Sequence, residues 1–376
     1  MKVFVLGAGV SKYTACYPLG GELLDALSSF VSEYPVGYKE NWAELLRWLE
    51  GNKNPDVQLA YTQKRLEHIF TILDLTMRLQ EYGSTAALTD RSDTGNTNRE
   101  HCIAYLEETK NVRQHRHLML RVLQEFFMQR HCRERDSLAE RSALLSFGNR
   151  ISPGDFVITF NYDASIERVL LHQSKWSPSD GYGFKVRLQA IADEQSRALK
   201  KSEVTVLKLH GSVGWYPLVG ENGDLDLERQ GTPDGPFASN SADDINAQPG
   251  IALGPTFLQR LGIDGQDSLF SWTPGESEPV VIHPSFLKDF EKPPFAMLWR
   301  CAAEALRKAD EIQIIGYSLP AEDQAALTLL QTNCEPTKVE IVNRSRRDCR
   351  RLRRLLTQDR GTTDCLSLEE WLKVDE

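Results

Sequence analysis

Short apolar runs alternate along this chain with longer stretches of helical spacing. The first run, Val3 to Leu6, stops at Gly7-Ala8-Gly9. The stretch "PLGGELLDALSSFVSEY" follows, with Leu19, Leu23, Leu24, Leu27 and Phe30 near helical spacing. Strand, glycine turn and helix in that order form the first half of a nucleotide-binding βα unit. From about 40 to 150 the pattern is helical, as in "NWAELLRWLEG" and "HLMLRVLQEFFMQR", broken by the polar tract "TDRSDTGNTNRE" at 89–100, a predicted loop. Strand patterns return at 155–161, 204–211, 278–284, 311–318 and 338–345, several flanked by helical stretches. Such runs, separated by helices, predict a parallel sheet covered on both faces. Residues 214–275 are rich in Gly, Pro, Asp and Ser with little periodicity and read as loops or a small insertion.

The expected fold is therefore α/β: a Rossmann-like parallel sheet with helices on both faces, plus an all-helical insertion. Residues 1–35 and 150–376 are expected to form the Rossmann domain, with 214–275 as its loop-rich insertion, and 36–149 the helical insertion subdomain.

Composition narrows the function classes. With 376 residues, 41% of them hydrophobic and 26% charged, the chain is long enough for more than one folded unit. No segment approaches the roughly 20 apolar residues of a membrane span, and the chain opens on a strand pattern instead of a leader, so a cytoplasmic location is expected. The seven cysteines are scattered and never paired as C-x-x-C, which predicts reduced thiols instead of a disulfide framework or zinc ribbon. A net charge of −9 argues against an extended nucleic-acid surface. The run "RSRRDCRRLRRLL" at 344–356 is the local exception. It reads first as a solvated helix face, with an acidic partner, another subunit or nucleic acid as alternatives.

Candidate chemistry sits at the strand ends. Gly7 and Gly9 permit a tight turn and close approach to a pyrophosphate at a helix N-terminus. Lys12 occupies the place of the third glycine of the dinucleotide fingerprint, and no second strand ends in an acidic residue about 20 positions on. A merely tight connection explains the turn equally well. Asn161 and Asp163 lie just past one apolar run, and His210 and Gly211 just past the next. Ligands of open α/β sheets bind outside the carboxyl ends of the strands, so Gly9, Asn161 and His210 are expected to converge. Plainer readings remain: Asn161 as N-cap of the following helix, and Asp163 as a first-turn acid favoured by the helix dipole. His283 reads as structural, with a place at the substrate edge as the alternative, and His68 as packed or partly exposed on an amphipathic helix, while His115 and His117 fall on different helix faces, so no metal site is expected.

Five motifs taken together resemble the sirtuin-like NAD-consuming domains: G-A-G-V-S (7–11), T-F-N-Y-D (159–163), L-H-G-S (209–212), G-Y-S-L (316–319) and V-N-R-S (342–345). The paired-cysteine zinc module of the deacylating sirtuins is missing, and the stretch from His283 to Ala326 resembles the bacterial branch that degrades NAD in anti-phage defence. The resemblance implies an NAD+ glycohydrolase (NAD+ nucleosidase) that releases nicotinamide and ADP-ribose, with NAD as substrate and no metal. It implies Asn161 and His210 as the catalytic pair, Asp163 near the nicotinamide carboxamide, and Gly7, Ala8, Gly9 and Ser11 around the diphosphate. Gly316 and Ser318 would line the phosphate or adenosine side, and Asn343 would meet the adenosine ribose. It further implies homo-oligomers and a separately encoded partner, such as a hexameric DNA-translocating ATPase or a short Argonaute, with no direct nucleic-acid binding by this chain. The alternatives are a non-catalytic NAD or ADP-ribose sensor and an assembly module of a defence complex.

Overall fold

The computed structural model describes residues 1–33, 36–52, 55–89, 111–128, 142–188, 199–219, 225–226, 228–230, 247–249, 251–253, 280–282, 290, 294–320, 323–357 and 366–373. In chain order the first elements are β1 (Lys2–Leu6), α1 (Ala8–Ala15), α2 (Gly20–Ser32), α3 (Val36–Gly51), α4 (Pro55–Thr62) and α5 (Leu66–Thr89). Next come α6 (111–128), α7 (Ser142–Asn149), β2 (Phe156–Thr159), α8 (Ser165–His172), β3 (Arg187–Leu188) and β4 (Thr205–Lys208). Five short strands follow: β5 (Trp215–Val219), β6 (Leu225–Asp226), β7 (Glu228–Gln230), β8 (Ala247–Pro249) and β9 (Ile251–Leu253). The chain closes with α9 (Phe295–Lys308), β10 (Glu311–Ile315), α10 (Gln324–Asn333), β11 (Val339–Val342), α11 (Arg346–Leu356) and α12 (Leu368–Lys373). Packing divides it into two compact units, Met1–Leu19 with Phe127–Ile282 and Asp289–Glu376, and Gly20–Phe126 with His283–Lys288.

The first unit is built on a five-stranded parallel sheet in the order β11-β10-β1-β2-β4. Numbered by their place in the chain, the strands run 5-4-1-2-3, the doubly wound Rossmann order, in which the winding reverses between β1 and β10. Every residue of β2 is buried, as are the last four of β1 and of β10. Burial on both faces explains why β1 and β2 read as near-continuous apolar runs without alternation; in β10 the run is interrupted by Gln313, whose buried amide donates to Glu311 and Glu340. Below them Phe4 meets Phe147 of α7 edge-on, and Trp371 of α12 packs on the same Phe147.

Several expectations change. The helix that follows the glycine turn is α1, which starts at Ala8; the amphipathic stretch beginning near Leu19 is α2 and lies in the second unit. In α1 only eight residues are helical, too few for a hydrophobic period to register. The run at 278–284 adds no strand to the parallel sheet: Val281 makes an isolated antiparallel bridge to Gly211, while 278–279 and 283–284, with His283, lie outside the described residues. Within 214–275 the described residues carry β5 to β9. A four-stranded sheet orders as β3-β9-β5-β6, and β7 pairs with β8.

The second unit is helical. Leu23, Leu24 and Leu27 of α2, Leu45 and Leu49 of α3, Ile69 and Phe70 of α5 and Leu120 of α6 are buried in it. Trp42 Nε1 donates to Ser28 Oγ at 3.1 Å, tying α3 to α2, and Arg116 pairs with Asp74 at 2.9 Å. Packing thus sets the division at 19/20 and 126/127, whereas the pattern sets it at 35/36 and 149/150. The polar tract at 90–100 lies outside the described residues. Among the described residues, no helix is long and apolar enough to cross a membrane.

Candidate functional site

The glycine turn lies where the winding of the sheet reverses. Gly7 N–H continues the ladder to Ile315 O at 3.1 Å, Gly9 N–H donates to Gly316 O at 2.8 Å, and Val10 N–H turns back to Gly7 O at 3.1 Å. A Cβ on Gly7 would sit 2.5 Å from Tyr317 Cα, and one on Gly9 2.7 Å from Gly316 O. Gly316 itself has φ +60, and a Cβ there would lie 2.6 Å from Val10 N. The three glycines are therefore demanded by the contact between two turns of the protein itself. That contact uses most of the N–H groups a phosphate would want. The exposed Ala8 N–H, at the first position of α1, has no partner among the described residues, and no acidic side chain occupies the first turn of that helix.

Asn161 stands just past β2. Its Nδ2 donates to Gly7 O at 3.0 Å and to Ser11 Oγ at 2.9 Å, and its backbone N–H to Thr159 Oγ1 at 3.1 Å. It does not cap α8, whose N-cap is Ala164 without a side-chain bond; the asparagine reaches across to the glycine turn instead. Oδ1 of this half-buried residue makes no hydrogen bond among the described residues. Ser11 Oγ in turn donates to Asp163 Oδ2 at 2.7 Å, and Asp163 Oδ1 accepts from Ser165 N–H at 2.9 Å. Both oxygens of Asp163 are thus engaged by the protein, and the buried carboxylate fixes Ser11 and the start of α8.

His210 lies past β4 with its side chain nearly buried, and its Nε2 is 3.5 Å from Asp323 Oδ1. Asp323 accepts a second bond on Oδ2, from the hydroxyl of Tyr317 at 2.7 Å. Burial pushes that hydroxyl well above the usual tyrosine range, so it stays a donor. Rings enclose the imidazole: Phe160 meets it edge-on at 5.2 Å and stacks on Tyr317 at 4.5 Å, while Tyr162 lies at 6.3 Å. Tyr162 also donates to Ile282 O at 2.7 Å, and Ile282 N–H donates to His210 O at 2.9 Å. Gly211 needs its φ of +78, and a side chain there would collide with the Val280 carbonyl.

Gly9, Asn161 and His210 thus follow the carboxyl ends of the three adjacent strands β1, β2 and β4. Two further residues sit in supporting positions. Asn343 spends its amide on two backbone groups, donating to Tyr317 O at 3.2 Å and accepting from Ser345 N–H at 3.0 Å. Ser318 is exposed, and its carbonyl, like that of Leu319, accepts from Arg351 of α11. Arg351 therefore pins the β10 turn, whereas Arg346, Arg347, Arg350 and Arg354 are exposed.

Sequence reading missed Asp323, Tyr317 and a wholly buried pair below the site, Lys208 with Glu167 at 2.8 Å. Lys208 was readable as a charge inside an apolar strand, and Asp323 as an acid shortly after the G-Y-S-L motif. Chemically the arrangement offers an amide oxygen, a carboxylate-backed imidazole and the positive end of α1 at the carboxyl edge of one sheet. Compared with known protein families and with curated proteins, the chain matches no family model and no curated protein.

Proposed function

We propose that the carboxyl edge of the parallel sheet binds NAD and hydrolyses its nicotinamide–ribose bond, releasing nicotinamide and ADP-ribose. The observation that carries the reading is that Asn161, bonded to the glycine turn, and the Asp323-backed His210 stand at the carboxyl ends of the neighbouring strands β2 and β4. Support from sequence comes from the five motifs resembling sirtuin-like NAD-consuming domains. Nicotinamide leaves as a neutral group with the electron pair of the broken C–N bond, so departure needs no general acid. The remaining demands are a positioned ribosyl centre and a water that loses its proton as it attacks.

Asn161 Oδ1 suits the water or a ribose hydroxyl, because its Nδ2 is held by Gly7 and Ser11 and the amide cannot swing away. His210 takes the proton, and the Asp323 carboxylate stabilises the imidazolium that forms. Ala8 N–H and the N-terminus of α1 face the diphosphate. Asp163 acts through Ser11, and Asn343 through the Tyr317 turn, as positioning residues. NAD depletion in anti-phage defence, homo-oligomerisation, a separately encoded partner and a cytoplasmic location belong to the same proposal and rest on the resemblance alone.

The test is incubation of the protein with NAD, at low and high protein concentration, with nicotinamide and ADP-ribose followed by chromatography. Release that disappears in His210→Ala is the expected result. NAD binding by calorimetry without release under either condition would overturn the hydrolase and favour a sensor.

A further inference from the structure

The Lys208–Glu167 pair is unused by the chemistry just described, yet both side chains are fully buried. Besides Glu167 Oε1, the Lys208 ammonium donates to the backbone carbonyl of Asp163. Glu167 Oε1 also accepts from Tyr182 at 3.3 Å, while its Oε2 has no partner among the described residues. Burial raises Glu167 above the usual carboxylate range and the Lys208 charge opposes that rise. An apolar pair would fill this space at less cost, since a buried ion pair barely repays its desolvation. Its geometry offers another reason for it.

Lys208 is the last residue of β4, and its own carbonyl accepts from Gly211 N–H at 3.0 Å, closing the turn that carries His210. Its ammonium ends on the β2–α8 turn, at the carbonyl of Asp163 and at the third residue of α8. From Asp163 the bonding continues to Ser11 and from Ser11 to Asn161. We infer that the Lys208–Glu167 pair is the positioning element of the site, setting the spacing between the Asn161 turn and the His210 end of β4. The inference rests on the catalytic reading for its consequence in turnover, and on structure alone for its consequence in local order.

The decisive variant replaces both partners, Lys208→Met with Glu167→Leu, which removes the polar link without stranding a charge. Two readouts are taken on the full chain: hydrogen exchange at the amides of Asn161 and Ser165, both bonded within the turn, and steady-state NAD hydrolysis. We expect these amides to exchange roughly tenfold faster while those of β1 keep wild-type protection, as in opening of one segment. We expect kcat to fall roughly 10- to 100-fold with KM nearly unchanged, the mark of displaced reacting groups rather than lost binding. Unchanged exchange in the turn, or equal acceleration across the whole sheet, would overturn the inference.

Should the double variant fail to fold, Glu167→Gln, which keeps the shape and one acceptor, is read by the same local-against-uniform criterion. If the wild type releases no nicotinamide, the catalytic reading fails by itself and the exchange pattern still decides the positioning role.

Discussion

Asn161 is visible in the sequence as a polar residue after an apolar run, but its purpose is not. Capping and catalysis predict the same residue type at that place, and only the bond to Gly7, 154 residues away in the chain, separates them. Asp323 is hidden more deeply, because nothing local marks an aspartate in a loop as the partner of a distant histidine. Asp323→Asn should lower kcat roughly 10- to 100-fold, and should do so without loss of NAD affinity by calorimetry, because it removes the charge behind His210 but touches no substrate. Gly316→Ala forces a side chain into left-handed backbone and against Val10, so it should cost at least about 1–3 kcal/mol in denaturant unfolding.

Among the elements, β1, β2, β4, β10 and β11 are legible because strands of a sheet covered by helices are rich in Val and Ile and short of turn residues, even where Gln313 and Glu340 interrupt the apolar run. Neither α1 nor the paired strands between Trp215 and Leu253 could be read: α1 is too short for a helical period, and those strands carry Pro217, Asp226, Glu228, Arg229 and Pro249 in place of an apolar run. In the helical unit, buried His115 lies 5.5 Å from the Trp48 ring. Burial depresses its pKa, with Glu44 opposing. An unfolded histidine titrates near about 6.5, so this contribution to stability is complete above that pH. It is lost as pH falls toward the lower native value, because the unfolded chain then accepts a proton that the folded one refuses. Melting followed at about pH 7.5 and about pH 5.5 should show the fall, and His115→Gln should make it shallower.

For the whole molecule, the two compact units predict separate responses to core damage. Leu45→Ala, at a fully buried position in the helical unit, should cost about 2–5 kcal/mol there. Hydrogen exchange should report it as lost protection between α2 and α6, with β1 and β2 protected as before. Single substitution of Lys208 by Met should do the reverse. Stranding Glu167 in the core costs about 3–5 kcal/mol and should lower the melting of the sheet unit, more than the paired replacement does.

The tie at Val280 and Ile282 bears on how this architecture can vary. Val280 N–H donates to Trp215 O at 2.8 Å, and Ser212 N–H to Val280 O at 3.3 Å, so the two ends of the stretch from 216 to 279 are tied at one clasp. Closing a loop costs only about 0.6 kcal/mol more for each doubling of its length. Insertions between Trp215 and Val280 therefore cost little in loop closure and leave the spacing of Tyr162 and His210 as it is, provided they spare β5 and β9, which pair with each other and, through β9, with β3.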